Sequence, residues 1–267
     1  MTQHSLRPRD VSGIKEKREP VYQISTLQSL ILGNYYGCLY IEDLLKHGDT
    51  GIGTFHAVAG ELIVIDGHCY RILADGSVLE AQPLDTTPFA SIAYLEEGHT
   101  IKFGAMATAE ALREALDDSI ELLGPNSMYV VRIDGYFNRV AARTELYQHE
   151  PYKPFAKVLE TDERRFAFEN IEGSLVCFYF PPFMDGVNTP GWHFHFINAA
   201  RTLGGHVFDI DMVRGTATLN KTDRFILDLP SNQAFQYADL ANASKEDIHK
   251  VEQGGGMSCI IPAPLLQ

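Results

Sequence analysis

Cysteine is scarce in this chain and scattered where it occurs. Cys38, Cys69, Cys177 and Cys259 are the four in 267 residues, and no two stand as C-x-x-C. Neither a disulfide framework nor a thiolate zinc site is indicated, and a reduced, cytoplasmic protein is the expectation. Basic residues are also few, 22 Lys and Arg against 35 Asp and Glu for a net charge of −13. The longest local cluster is Lys15-Glu16-Lys17-Arg18. Such a chain repels a polyanion on average, so no nucleic-acid partner is expected, while a small anion remains admissible in a pocket holding one or two cations. No apolar run approaches the ~18 residues of a membrane span, so no membrane partner is expected. Residues 1–20 carry mixed charges with no apolar core like that of a signal peptide, and they read as a flexible arm.

What is present is ample apolar content, 45%, enough for one large domain or two modest ones. The pattern implies a mixed α/β (α+β) class with two domains. Residues 21–155 carry a mixed sheet with helices, and residues 156–267 form a β-rich, small barrel-like unit. In the first part, short helices are expected over 26–32, capped by Ser25 and stopped by Gly33-Asn34, and over 41–47. Residues 107–123 are the best helix of the chain, rich in Ala, Leu and Glu and ended by Gly124-Pro125. Asp66-Gly67 and Asp134-Gly135 each stand between apolar, β-prone runs, the signal of a type I′ hairpin. Residues 144–172 are polar, contain Pro151 and Pro154, and read as linker-like with a boundary near 150–160. Beyond them the pattern is almost wholly β, interrupted by one helix over 244–253.

The chemistry concentrates in Gly191-Trp192-His193-Phe194-His195-Phe196-Ile197 and, after a short turn, Gly204-Gly205-His206-Val207. On a strand, His193 and His195 share one face while Trp192, Phe194 and Phe196 cover the other. A hairpin through Gly204-Gly205 would bring His206 beside them. Three neutral nitrogens with a fourth position open is the pattern of catalytic zinc. Ten histidines give about a third of an H-x-H by chance, so the bare motif is weak and the third histidine carries the argument. Four further residues stand beside backbone that can approach a ligand. Glu61 follows Ala59-Gly60, Glu252 precedes Gly254-Gly255-Gly256, Arg143 follows Ala141-Ala142, and Thr54 lies in an apolar strand after two glycines. Taken singly, each is as easily a surface group or strand filler; an arginine there can also clamp a carboxylate through two hydrogen bonds.

Ordered blocks connect these residues. Gly53-Thr54-Phe55, Gly60-Glu61-Leu62-Ile63-Val64-Ile65-Asp66-Gly67, Arg132-Ile133-Asp134-Gly135, Ala142-Arg143-Thr144, Gly191 to Phe196 and Gly204 to Val207 together resemble the α-acetolactate decarboxylase family, in order from about residue 20 to 260. The resemblance implies a cytoplasmic zinc enzyme on a two-domain α/β fold, paired as a homodimer. Such an enzyme converts the small molecule 2-acetolactate to (R)-acetoin and CO₂. It further implies that His193, His195 and His206 hold Zn²⁺, and that Glu61, Arg143 and Glu252, with Thr54 as a weaker addition, are active-site groups. In that chemistry the metal chelates the vicinal substrate oxygens and stabilises the enediolate, and Glu61 or Glu252 delivers the proton. Trp192 stands where a tyrosine is expected, on the face away from the ligands. Two other classes begin from the same motif. A cupin-like oxygenase or isomerase usually adds a glutamate soon after the second histidine, but Asn198-Ala199-Ala200-Arg201 follows here. A non-catalytic metal- or small-molecule-binding protein would leave Glu61, Arg143 and Glu252 far from the metal.

Overall fold

The computed structural model describes residues 19–95, 98–240 and, for the backbone, 261–262. Two large sheets pack face to face. The first orders its seven strands β14-β1-β8-β3-β4-β5-β6, namely β1 Val21–Ile24, β3 Thr50–Thr54, β4 Glu61–Ile65, β5 His68–Ile72, β6 Val78–Glu80, β8 Phe89–Ala93 and β14 Phe225–Asp228. The short strands β2 Leu39–Tyr40 and β7 Thr86–Thr87 pair separately. The second sheet contains β9 His99–Phe103, β10 Met128–Glu145, β11 Glu163–Phe180, β12 Gly191–Asn198 and β13 Gly204–Thr222, with β15 Ile261–Pro262 beside β11. Among the described residues the α-helices are α1 Leu27–Ile31, α2 Ile41–Leu44, α3 Ala109–Leu123, α4 Phe155–Thr161 and α5 Gln233–Gln236. Among the described residues no helix is long and apolar enough to cross a membrane.

Pairing in the second sheet closes on itself. β10 pairs with both β11 and β13, β11 with β12, and β12 with β13, so four strands form a hydrogen-bonded ring. β9 and β10 join it from before residue 155, whereas β14 returns to the first sheet. Inside the ring, Val131, Ile133, Phe137, Leu175, Phe194, Phe196 and Val207 share a core on which α3 lays Leu112, Leu116 and Ile120. The opposite face packs Val130, Val176, Phe178 and Ile197 against Ile52, Ile63, Ile65 and Ile72 of the first sheet. That first sheet buries its far face as well, Leu62 and Val64 lying against Ile41 and Leu44 of α2. Burial on both faces explains why Glu61-Leu62-Ile63-Val64-Ile65 reads as an unbroken apolar run after its first residue.

The two Asp-Gly pairs part company. Asp66 and Gly67 take positive φ, 54° and 77°, between paired Ile65 and His68, as the type I′ turn requires. Asp134-Gly135 does not turn; β10 runs through it for 18 residues. Gly135 is held between Gly173 of β11 and Gly215 of β13, and a Cβ there would stand 2.7 Å from the Arg214 carbonyl oxygen. Glycine serves close strand approach at this point rather than chain reversal. Register shifts against β13 near Phe137 and after Ala141 mark bulges that bend the long strand around its core.

Two other expectations are corrected. Thr26, not Ser25, caps α1, its hydroxyl accepting from the Ser29 amide, while Ser25 sits at φ 68° before the helix. The linker-like stretch is built into the fold. β10 extends to Glu145 and β11 starts at Glu163, and between them α4 buries Phe155 and Val158 against Leu27, Leu30 and Tyr35. The helix expected over 244–253 and most of the strand expected over 257–261 lie outside the described residues.

Crowding inside the ring gives a stability test. A Cβ at Gly173 would meet the Ile197 carbonyl oxygen and the Phe196 ring at 2.5 Å, whereas one at Gly104 meets nothing within 4 Å. Gly173→Ala is therefore expected to lower unfolding free energy by about 1–3 kcal/mol in urea titration, and Gly104→Ala to leave it nearly unchanged. Equal effects would contradict the packing.

Candidate metal centre

The site lies between the two sheets, on the outer face of the ring. β12 and β13 form the expected hairpin, and His195 is directly opposite His206 in their register. Alternation along β12 sends His193 and His195 outward and Trp192, Phe194 and Phe196 inward, where the Trp192 indole donates to Asp117 on α3 at 2.7 Å. One nitrogen of each of the three histidines lies within 4.8 Å of the others. His193 Nε2 is 3.2 Å from His195 Nε2 and 3.0 Å from His206 Nδ1.

The protons of these rings identify what the cluster accepts. His195 Nδ1 is 2.9 Å from the Leu62 carbonyl of β4, which can only accept, so Nδ1 carries the proton and Nε2 turns its lone pair to the cluster. On His206, Nε2 lies 3.3 Å from Arg143 Nη2, and Nδ1 faces His193 Nε2. A cation at the shared point would take one lone pair from each ring, His206 through Nδ1 with its proton on Nε2. The donor set fits a divalent transition metal: three imidazole nitrogens without thiolate.

Electrostatics keep the rings neutral. Burial, then the charges of Arg143 and Arg113, push His193 down to about 3. His195 and His206 are held well below the usual histidine range, first by burial. Neutral imidazole is the ligating form, so the nitrogens stay available well into acid.

Three of the four remaining candidates, Thr54, Glu61 and Arg143, line the same cavity. It is lined by Thr54, Glu61, Arg143, Glu145, Asn188 and the three histidines, with Leu27, Leu30, Ile52, Phe89 and Phe155 as apolar walls. Glu61, on β4, places Oε2 3.6 Å from His195 Nε2. Thr54 is opposite Glu61 in the β3–β4 hairpin, but its hydroxyl donates to the Gly60 carbonyl at 3.0 Å, a structural bond across the connecting loop. Arg143, on β10, faces His206 on one side and Arg165 on the other. Glu252 lies outside the described residues.

The alpha-acetolactate decarboxylase family model matches residues 21–242. The chain belongs to the alpha-acetolactate decarboxylase family. It is 40% identical over 233 residues to the alpha-acetolactate decarboxylase of Methanosarcina mazei, covering 87% of this chain and 80% of that one. The Bacillus subtilis relative is 36% identical over 241 residues, 89% and 93% of the two chains. A crystal structure of alpha-acetolactate decarboxylase from Bacillus subtilis strain 168 superposes with a TM-score of 0.83 at 36% identity, covering 87% of this chain and 99% of that chain.

Within this family member, reading the sequence missed several cavity residues. Asn188 lies on the turn before β12, and its amide donates to Gln23 Oε1 at 2.7 Å and to Ser91 Oγ at 3.1 Å, tying the cavity rim to β1 and β8. Phe155 was hidden in the stretch read as linker. Glu145 and Glu163, near the facing ends of β10 and β11, carry no local signal; only the register between two 18-residue strands brings them to the site.

Two outcomes follow. His195→Ala is expected to abolish stoichiometric metal binding in dialysed protein, and a retained equivalent of metal would contradict the cluster. In metal-free protein the lowered histidine values also set a pH dependence. Below pH 6.5 the unfolded chain takes up protons that the folded sites refuse, His193 until about 3. Their contribution to stability is thus full at neutral pH and lost as pH falls through that window. The melting temperature of His206→Gln should decline less steeply than wild type between pH 6.5 and 4; parallel curves would contradict it.

Proposed function

We propose that this chain is a zinc-dependent decarboxylase converting 2-acetolactate to (R)-acetoin and CO₂. The observation that carries the reading is one cavity, in a member of this family, where three neutral imidazoles meet an arginine and a glutamate behind apolar walls. His193, His195 and His206 would hold the zinc, which when bound supplies Lewis acidity toward the vicinal oxygens of a 2-hydroxy-3-keto acid and the charge left as CO₂ departs. A cupin-like oxygenase is less well supported, since Asn198 and not a glutamate follows the histidine pair and its side chain is committed to the turn, bonding the Thr202 and Leu203 amides. A purely binding role is disfavoured by Glu61 and Arg143 lying against the imidazoles.

The protein's own groups account for binding and proton transfer. Arg143 is buried, with a donor 3.3 Å from His206 Nε2, and is suited to hold the substrate carboxylate or the developing oxyanion. Leu27, Leu30, Phe89 and Phe155 exclude water, so the carbanionic carbon takes its proton from the protein on one face, which a chiral product requires. Glu61 is one donor candidate in place, and Glu252 is the other. Thr54 shapes the wall. A cytoplasmic homodimer is the setting we attach to this reading, supported by Cys38, Cys69 and Cys177 being free thiols and by the family resemblance.

The direct assay is purified protein with 2-acetolactate, scoring acetoin and CO₂. Turnover should disappear on chelation and return with zinc; turnover indifferent to chelator, or none in zinc-replete protein, overturns the proposal. Arg143→Lys keeps the charge but loses the planar fork, and should lower kcat/KM about ten- to a hundredfold with metal retained. Glu252→Gln should keep metal and lose turnover; retained turnover assigns proton delivery to Glu61.

A further inference from the structure

Arg143 does not sit in its cavity unaided. Its cross-strand neighbour on β11 is Arg165, and side chains of directly opposed residues project from the same side of the sheet. Both are buried, so two like charges face each other with little water to screen them. Nothing in that pairing directs Arg143 toward the histidines.

Glu163 supplies the direction. It lies two residues before Arg165 on the same face of β11, with its side chain 4% exposed, and is therefore no solvated surface acid. Its two oxygens divide between the arginines. Oε1 accepts from Arg143 Nη1 at 3.1 Å, and Oε2 accepts from Arg165 Nε at 2.5 Å. Arg165 Nη2 also reaches Oε1 at 3.4 Å, and its guanidinium lies 5.0 Å over the Phe208 ring, so Arg165 braces Glu163 from behind. Because guanidinium is planar and rigid, holding Nη1 fixes the direction of Nη2, which points at His206 Nε2 3.3 Å away.

We propose that Glu163, braced by Arg165, is a positioning residue that aims Arg143 at the substrate carboxylate beside the histidine cluster. This rests on the reading of Arg143 as the carboxylate or oxyanion clamp. Glu163 acts through Arg143, whose Nη1 it holds. With Oε1 and Oε2 divided between the two guanidiniums, Glu163 holds Arg143 by one edge and leaves Nη2 directed at the histidine side of the cavity.

A double-mutant cycle on the zinc-loaded enzyme tests this, with kcat/KM for 2-acetolactate and bound zinc both measured. In the wild-type background Glu163→Gln should lower kcat/KM about tenfold or more with zinc stoichiometry unchanged. In the Arg143→Lys background, whose ammonium cannot be aimed through a planar fork, the same substitution should cost less than about twofold. A merely structural role predicts equal losses in both backgrounds, and that result, or no loss in wild type, overturns the proposal. If Arg143→Lys alone keeps full turnover, the reading of Arg143 fails and the positioning role fails with it; if it is impaired and the losses are additive, only the positioning role fails. Should Glu163→Gln not fold, Glu163→Asp keeps the charge and shortens the reach by one methylene. It should reduce kcat/KM at least about threefold at an unchanged melting temperature, and full activity in it overturns the proposal.

Discussion

One row of cross-strand register organises this molecule. Arg165 on β11 faces Arg143 on β10, Arg143 faces His206 on β13, and His206 faces His195 on β12. The row exists because four strands close their hydrogen bonding into a ring, and a slip of one residue on any of them would turn its side chain into the apolar interior. Crowded glycines at 135, 173 and 215 permit the strands to come together farther along, and the bulges in β10 let it bend while keeping Arg143 opposite His206. The first sheet then supplies the other wall, with Leu62 fixing the His195 proton and Glu61 entering the cavity.

That arrangement is electrostatically expensive. Two arginines and two glutamates are buried along the ends of β10 and β11 beside three desolvated histidines. Neutral histidines and a shared carboxylate between the arginines resolve most of the conflict without displacing the guanidinium from the site. What remains is the close approach of three imidazole nitrogens, an arrangement that suits a cation at their shared point. The local cost, offset by the large apolar cores on either side, is the expected signature of a functional centre.

Much of this was legible in the sequence because it is local. The alternation around His193 and His195, the turn before His206 and the Asp66-Gly67 hairpin each depend on a few consecutive residues. The helix over 109–123 does too, and all four are present in the fold. Where the reading went astray, a local signal had a non-local cause. Gly135 looked like a turn because nothing nearby reveals the Arg214 carbonyl that excludes a side chain. Residues 144–172 looked like a linker because their charged residues are satisfied across strands, Glu163 by Arg143 twenty positions away. Family blocks located Glu61 and Arg143; no spacing rule joins either to the histidines.

The central claim is that His193, His195 and His206 are the protein ligands of a zinc ion. Zinc-edge X-ray absorption on the purified, metal-loaded protein tests it most directly. Three imidazole nitrogens at about 2.0–2.1 Å, any remaining ligands being oxygen and none sulfur, is the spectrum expected. A thiolate contribution, or fewer than three imidazoles, would contradict it.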